Sequence, residues 1–175
     1  AFERDAEPEQ RRARYGRTKI GGRCLQARKL VEAGARFMAV DYGYDHDYGN
    51  VWDNHNAPGQ NHPHISKMVK RGYHVAGIDK AFSALINDLK QRGMLDSTLV
   101  VVATEFGRPP EFDGGGGRGH HPHAFSIFLG GGGLRTGQVI GRTDDLGQKI
   151  VEFPVSVPDL HGTIYTALGV DPSKE

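Results

Sequence analysis

The sequence predicts an α/β fold, a mainly parallel sheet covered by helices, and three observations carry that expectation. Helical periodicity occupies 73–92, where Val75, Ile78, Phe82, Leu85 and Leu89 recur at alternating spacings of three and four before Gly93 stops the pattern. An unbroken apolar, largely β-branched run, Thr98 to Ala103, comes next and has the profile of a central strand buried on both faces. The order of expected elements is helix, strand, helix, strand, strand, helix, which is the order of an α/β chain.

Taken in turn, Arg11, Arg12, Arg14 and Arg17 are interspersed with glutamates and read as a solvated helix face. Residues 22–34 read as a helix, with Leu25, Ala27, Leu30 and Val31 as its apolar stripe and Gly34 as its C-cap. The run 37–40 reads as a buried strand whose C-terminal end opens at Asp41 into a long polar and aromatic loop, 41–64. Loops of that length are functional or disordered, and Trp52 with Tyr42, Tyr44 and Tyr48 argues for order. After the strand at 98–103 come Thr104 and Glu105, then a glycine-rich loop and a further strand at 124–129. A short strand is expected at Val139-Ile140, and a last helix at 157–168 with Pro158 in its first turn and Gly169 at its end. The runs Gly114–Gly117 and Gly130–Gly133 match neither a P-loop nor a dinucleotide fingerprint and read as flexible turns.

The bulk properties narrow the function. A chain of 175 residues with 37% hydrophobic and 25% charged residues is ordinary for one globular domain. A net charge of +1, from 22 basic and 21 acidic residues, supports neither a nucleic-acid nor a membrane-surface partner. No apolar run approaches the roughly 18 residues of a membrane span. Cys24 is the only cysteine, which excludes an internal disulfide. The first residue is Ala1 rather than Met, so an upstream segment is expected to have been removed.

Open α/β sheets bind ligands at the carboxyl ends of their strands. Those ends deliver Asp45, His46, Asp47, Asp53 and His55 after the first strand, Glu105 after the second, and His120, His121 and His123 before the third. Carboxylate and imidazole groups from separate loops suit a zinc- or manganese-type site, because calcium and magnesium prefer all-oxygen ligands. Spacing alone leaves exposed loop histidines as the other reading, since no HExxH-like signature occurs.

A set of motifs then carries a resemblance. They are Tyr15-Gly16-Arg17, the Cys24 to Gly34 helix, Trp52-Asp53-x-His55, Asp88-Leu89-Lys90-x-x-Gly93 and Glu105-Phe106-Gly107-Arg108. Gly117-Arg118-x-His120-His121-Pro122, Gly137 to Gly141 and Asp159-Leu160-His161-x-Thr163 complete it. In this order they resemble the family called domain of unknown function 1501, sulfatase-like proteins of the alkaline phosphatase-like superfamily. The resemblance implies a three-layer α/β/α sandwich, with residues 1–175 forming the C-terminal portion of one such domain. It implies an exported, periplasmic or secreted, metal-dependent hydrolase of phosphate or sulfate esters. It implies Asp53, His55 and His120 or His121 on one metal and Glu105 on a second. Arg108 and Arg118 are candidates for a small anionic ester because guanidinium forks match its oxygens, with surface arginines as the other reading.

Departures from the family pattern are visible. One residue, not three, separates Asp53 from His55; Phe106 stands where relatives carry a histidine; and Gly119 and Pro109 replace an aspartate and a threonine. The nucleophile is expected in the remaining N-terminal half of the same protein, so this chain by itself is expected to show no phosphatase or sulfatase turnover. The rival expectation is a non-catalytic metal- or ligand-binding protein on the same fold. A full-length sequence bearing an early strand acid followed by Ser, Thr or Cys would favour the enzyme.

Overall fold

The first helix, α1 (Glu9–Tyr15), ends at Gly16, and Thr18 then starts α2 (Lys19–Glu32) by accepting a hydrogen bond from Gly21 N at 3.3 Å. The computed structural model describes residues 7–55 and 63–174, so the 56–62 part of the predicted loop lies outside the described residues. The chain divides into two units, Ala1–Arg92 with Gly114–Gly117, and Gly93–Asp113 with Arg118–Glu175.

In the first unit α1 and α2 pack against α4 (Val75–Gln91) around Tyr15, Ile20, Cys24, Leu25, Tyr42, Val51 and Ala81. The expected helix at 73–92 is present, but its innermost residues are Gly77, Ala81, Asp88 and Leu89. Val75, placed on the apolar stripe by periodicity, is 46% exposed. Periodicity finds the large apolar residues, whereas close helix contact selects small ones, and Ala81 is fully buried. Gly21 shows the same constraint, since a Cβ there would lie 2.2 Å from the Tyr15 carbonyl oxygen. A hairpin of β1 (Tyr44–Asp45) and β2 (Gly49–Asn50) and the short α3 (Ile65–Met68) complete this unit.

A buried ionic cluster ties the three helices together. Arg28, 2% exposed, pairs with Glu7 (2.9 Å), Asp88 (3.0 Å) and Glu32. Tyr15 donates its hydroxyl to Asp88 at 3.0 Å, and Arg92 donates to the other Asp88 oxygen at 3.1 Å. A guanidinium buried this deeply is tolerated because carboxylates surround it.

The second unit departs from the expected three-layer sandwich. The run at 98–103 does form a strand, β3 (Leu99–Val102), but it pairs antiparallel with β4 (Phe128–Gly131), matching Leu99 to Gly131 and Val102 to Phe128. β3 and β4 form a two-stranded sheet, and Val101, expected to be nearly fully buried in an inner parallel strand, is 39% exposed. All three sheets among the described residues are two-stranded and antiparallel. The physical reason lies in the connection. A parallel neighbour needs a crossover of about a dozen residues, usually through a helix. The chain from 103 to 127 contains no helix; it runs out, pairs Gly107 with His121 (2.9 Å in both directions) and returns as β4. Gly107 is required here, because a Cβ would sit 2.2 Å from the Ala124 carbonyl oxygen.

Two other expected strands are absent. Residues 37–40 are irregular and Phe37 is 85% exposed; no strand among the described residues pairs with them. Val139 and Ile140 are likewise exposed, and the strand lies just beyond them as β5 (Arg142–Thr143), paired with β6 (Ile150–Glu152). The closing helix α5 (Val157–Ala167) has Ser156 and Asp159 in a reciprocal capping box and Pro158 in its first turn, as expected, yet no residue of it is buried.

Candidate metal centre

Loop 41–55 is held in place by the dipeptide that leads into α4. Tyr42 donates its hydroxyl to the Tyr73 carbonyl at 2.6 Å, and the Tyr48 ring stacks on the Tyr73 ring at 3.8 Å, 1° from parallel. His74, 2% exposed, meets the Val51 carbonyl through Nε2 at 2.7 Å, and its ring lies 4.1 Å from that of Trp52. Val51 N in turn donates to the Gly43 carbonyl at 3.0 Å. Burial holds the His74 imidazole below its ordinary value, although the bond to Val51 and the nearby Arg71 act in opposite directions on it. The ring is therefore neutral at physiological pH.

Just past Trp52 the loop presents Asp53 and His55, both half-buried, with His55 Nδ1 hydrogen-bonded to the Asp53 carboxylate. A carboxylate only accepts, so Nδ1 carries the hydrogen and the lone pair of the neutral ring falls on Nε2. Metal-ligating histidines have this arrangement, with the non-ligating nitrogen donating to a carboxylate that fixes tautomer and ring orientation. The pair is thus chemically suited to a borderline divalent cation, zinc or manganese rather than calcium.

In the second unit the other expected residues lie along the antiparallel excursion between β3 and β4. Glu105 is exposed just past β3, and the neighbouring Thr104 hydroxyl donates to the Phe106 carbonyl at 3.0 Å. Arg108 donates to the carbonyls of Arg118 (2.8 Å) and Gly119 (3.4 Å) while lying over the Phe106 ring. Arg118 lies over the Phe112 ring, 4.9 Å from its centre. His120 is exposed and its ring packs at a tilt of 32° against that of Phe106, ring centres 4.2 Å apart. His121 Nε2 meets the Gln148 carbonyl at 3.0 Å, which puts its lone pair on Nδ1, and its ring contacts that of His123 at 5.6 Å. Arg108, expected on an anionic ester, is thus engaged with the backbone of the segment that leads into His120.

Spacing did not single out Tyr73 or His74. The only signal for them is position: an aromatic and a histidine directly ahead of the most periodic helix, where a serine, threonine, aspartate or asparagine cap would be usual.

Fold and site together define a chain with a helical, ion-paired first unit that offers an aspartate–histidine pair on an anchored aromatic loop. Over residues 1–175 it matches a family model described as protein of unknown function, DUF1501, and it belongs to that family. No curated protein and no solved structure matches it. Among the described residues no helix is long and apolar enough to cross a membrane.

Proposed function

We propose that the chain is the metal-ligand-bearing portion of an exported, metal-dependent hydrolase of phosphate or sulfate esters. The single observation that carries the metal-binding half of this reading is the Asp53–His55 pair, with the imidazole oriented by a carboxylate and its lone pair on Nε2. In this arrangement His55 Nε2 holds the cation while Asp53 orients the ring. Asp53 becomes a direct ligand, as the motif resemblance implies, by giving up its bond to Nδ1, and His120 or His121 joins on the strength of the same motif. Glu105 is the candidate for a second cation on the same ground.

The hydrolase half, the sulfatase-like affiliation and the exported location rest on the motif resemblance. A bound divalent metal supplies a Lewis acid for the ester oxygen and eases ionisation of a nucleophile. The chain's own residues hold and orient that cation. The Thr104 hydroxyl donates to backbone and the buried Cys24 thiol is pushed up to about 11 by desolvation, so neither is set up as a nucleophile. Arg108 and Arg118 are the candidate groups for the ester's oxyanion, since guanidinium forks match such oxygens.

The test is zinc and manganese titration of the 175-residue chain, followed by competition with a chromophoric chelator. At most one equivalent of weak binding is expected from this portion alone, weakened further by roughly tenfold or more in His55→Ala and Asp53→Ala. Unchanged affinity in both variants removes the site. A panel of phosphate and sulfate esters presented to the metal-loaded chain, alone and with the rest of its natural protein, separates the hydrolase from the non-catalytic alternative.

A further inference from the structure

His74 is the buried titratable group that the proposed site does not use, and its surroundings define a job for it. It is 2% exposed at the head of α4, yet its side chain does not cap that helix. Its Nε2 faces the Val51 carbonyl, which only accepts, so Nε2 carries the hydrogen and the bond is a donation of 2.7 Å. Its Nδ1 is buried with no partner among the described residues. An imidazole buried with one nitrogen unsatisfied costs more than an apolar ring of similar shape would. The interaction that offsets this cost is therefore the one Nε2 makes.

That interaction falls on the loop carrying the ligands. Val51 precedes Asp53 by two residues and His55 by four, and it is 1% exposed. Residues 51–55 belong to no helix or strand, so their backbone placement depends on bonds from outside the segment. Val51 has two such bonds, N–H to Gly43 and C=O from His74, and Trp52 adds the ring contact at 4.1 Å.

We propose that His74 is the positioning residue of this metal-binding loop, with Nε2–H on the Val51 carbonyl and its ring against Trp52 setting where Asp53 and His55 are presented. The inference rests on the metal-binding reading above and names the group outside the ligand set on which that reading depends. It assigns His74 no contact with the cation.

Three variants separate positioning from simple core filling. His74→Phe keeps the ring and removes the donor, His74→Gln returns an amide donor at similar reach, and His74→Asn carries a donor that falls short. Zinc affinity is expected to weaken roughly tenfold or more in His74→Phe and His74→Asn, and to return to within about threefold of the parent in His74→Gln. Equal affinity in the parent and the Phe variant, or in the Gln and Asn variants should Phe fail to fold, overturns the proposal. A readout independent of metal comes from Trp52, the only tryptophan of the chain. Its emission in the metal-free protein is expected to shift in the Phe and Asn variants and to be restored by Gln. If the parent binds no zinc, the metal-binding reading fails, and with it the stated role. The emission series then still decides whether His74 places the loop, and an emission unchanged across all three variants refutes that as well.

Discussion

In the first unit Tyr15, Leu25, Ala81 and Leu89 are at most 2% exposed, whereas in the second Phe153 and Val139 are 76% and 95% exposed. Both units contain apolar residues in regular elements, so composition does not separate them. Geometry does. Three helices of the first unit face one another, and each buries its apolar side on the other two. In the second unit each hairpin has a single partner strand, and no residue of α5 is buried. Isolated two-stranded hairpins are marginal in water, so the second unit is expected to open at lower free energy than the first. The lesson is that an apolar run contributes to stability only where a second surface is opposed to it.

The largest expected effect that can break this comparison comes from Arg28. Replacing it with Met leaves Glu7, Asp88 and Glu32 without their shared buried cation and is expected to cost about 3–5 kcal/mol. Chemical denaturation read through alkylation of Cys24, the only cysteine, measures the first unit specifically. A loss below about 1 kcal/mol would mean that Arg11 and Arg92 together neutralise the cluster and that the Arg28 tie is redundant.

Acid offers the next lever. Burial by itself would raise the Glu7 carboxyl, but the guanidinium groups of Arg11 and Arg28 hold it below its ordinary 4.5. A carboxyl depressed in the folded state contributes stability above its ordinary value, and that contribution is lost as pH falls through the lower folded value. The first unit should therefore lose stability below about pH 4.5, and Glu7→Gln should flatten that part of the profile. An identical acid profile in the variant would show that Glu7 is not the group responsible.

A smaller effect is expected at the capping box of α5. Ser156→Ala removes the oxygen that accepts from Asp159 N and should cost α5 roughly 0.5–2 kcal/mol, read as faster hydrogen exchange confined to 157–167. Spread of that change into α2 or α4 would show the units to be more strongly coupled than the comparison supposes. The smallest effect belongs to Val139→Ser, within about 0.5 kcal/mol, because a side chain that is 95% exposed loses almost no burial. A larger loss would reveal that Val139 is covered in solution.

How much of this was legible beforehand differs between local and non-local features. The helices expected at 22–34, 73–92 and 157–168 are present at 19–32, 75–91 and 157–167: periodicity and stop signals act within one turn of chain, whereas the start of the first at Thr18 escaped them. The extended state of Leu99–Val102 followed from its β-branched residues, but its partner did not. Strand direction is decided by the route of residues 103–127, and no local pattern in that glycine-rich stretch encodes a route. At the candidate site Asp53 and His55 were nominated from residue type and motif, and the structure brings their side chains into contact.

What the sequence by itself determined, then, is the three longest helices and membership of the family. Tertiary structure alone decided three things. It paired the strands antiparallel, it gathered Arg28, Glu7 and Asp88 into one buried cluster, and it set His74 under Val51 and Trp52. Each of these joins residues that are distant in sequence, Tyr15 and Asp88 lying 73 apart and Val51 and His74 lying 23 apart. Contacts of that kind arise from how surfaces close on one another, which local propensity does not encode.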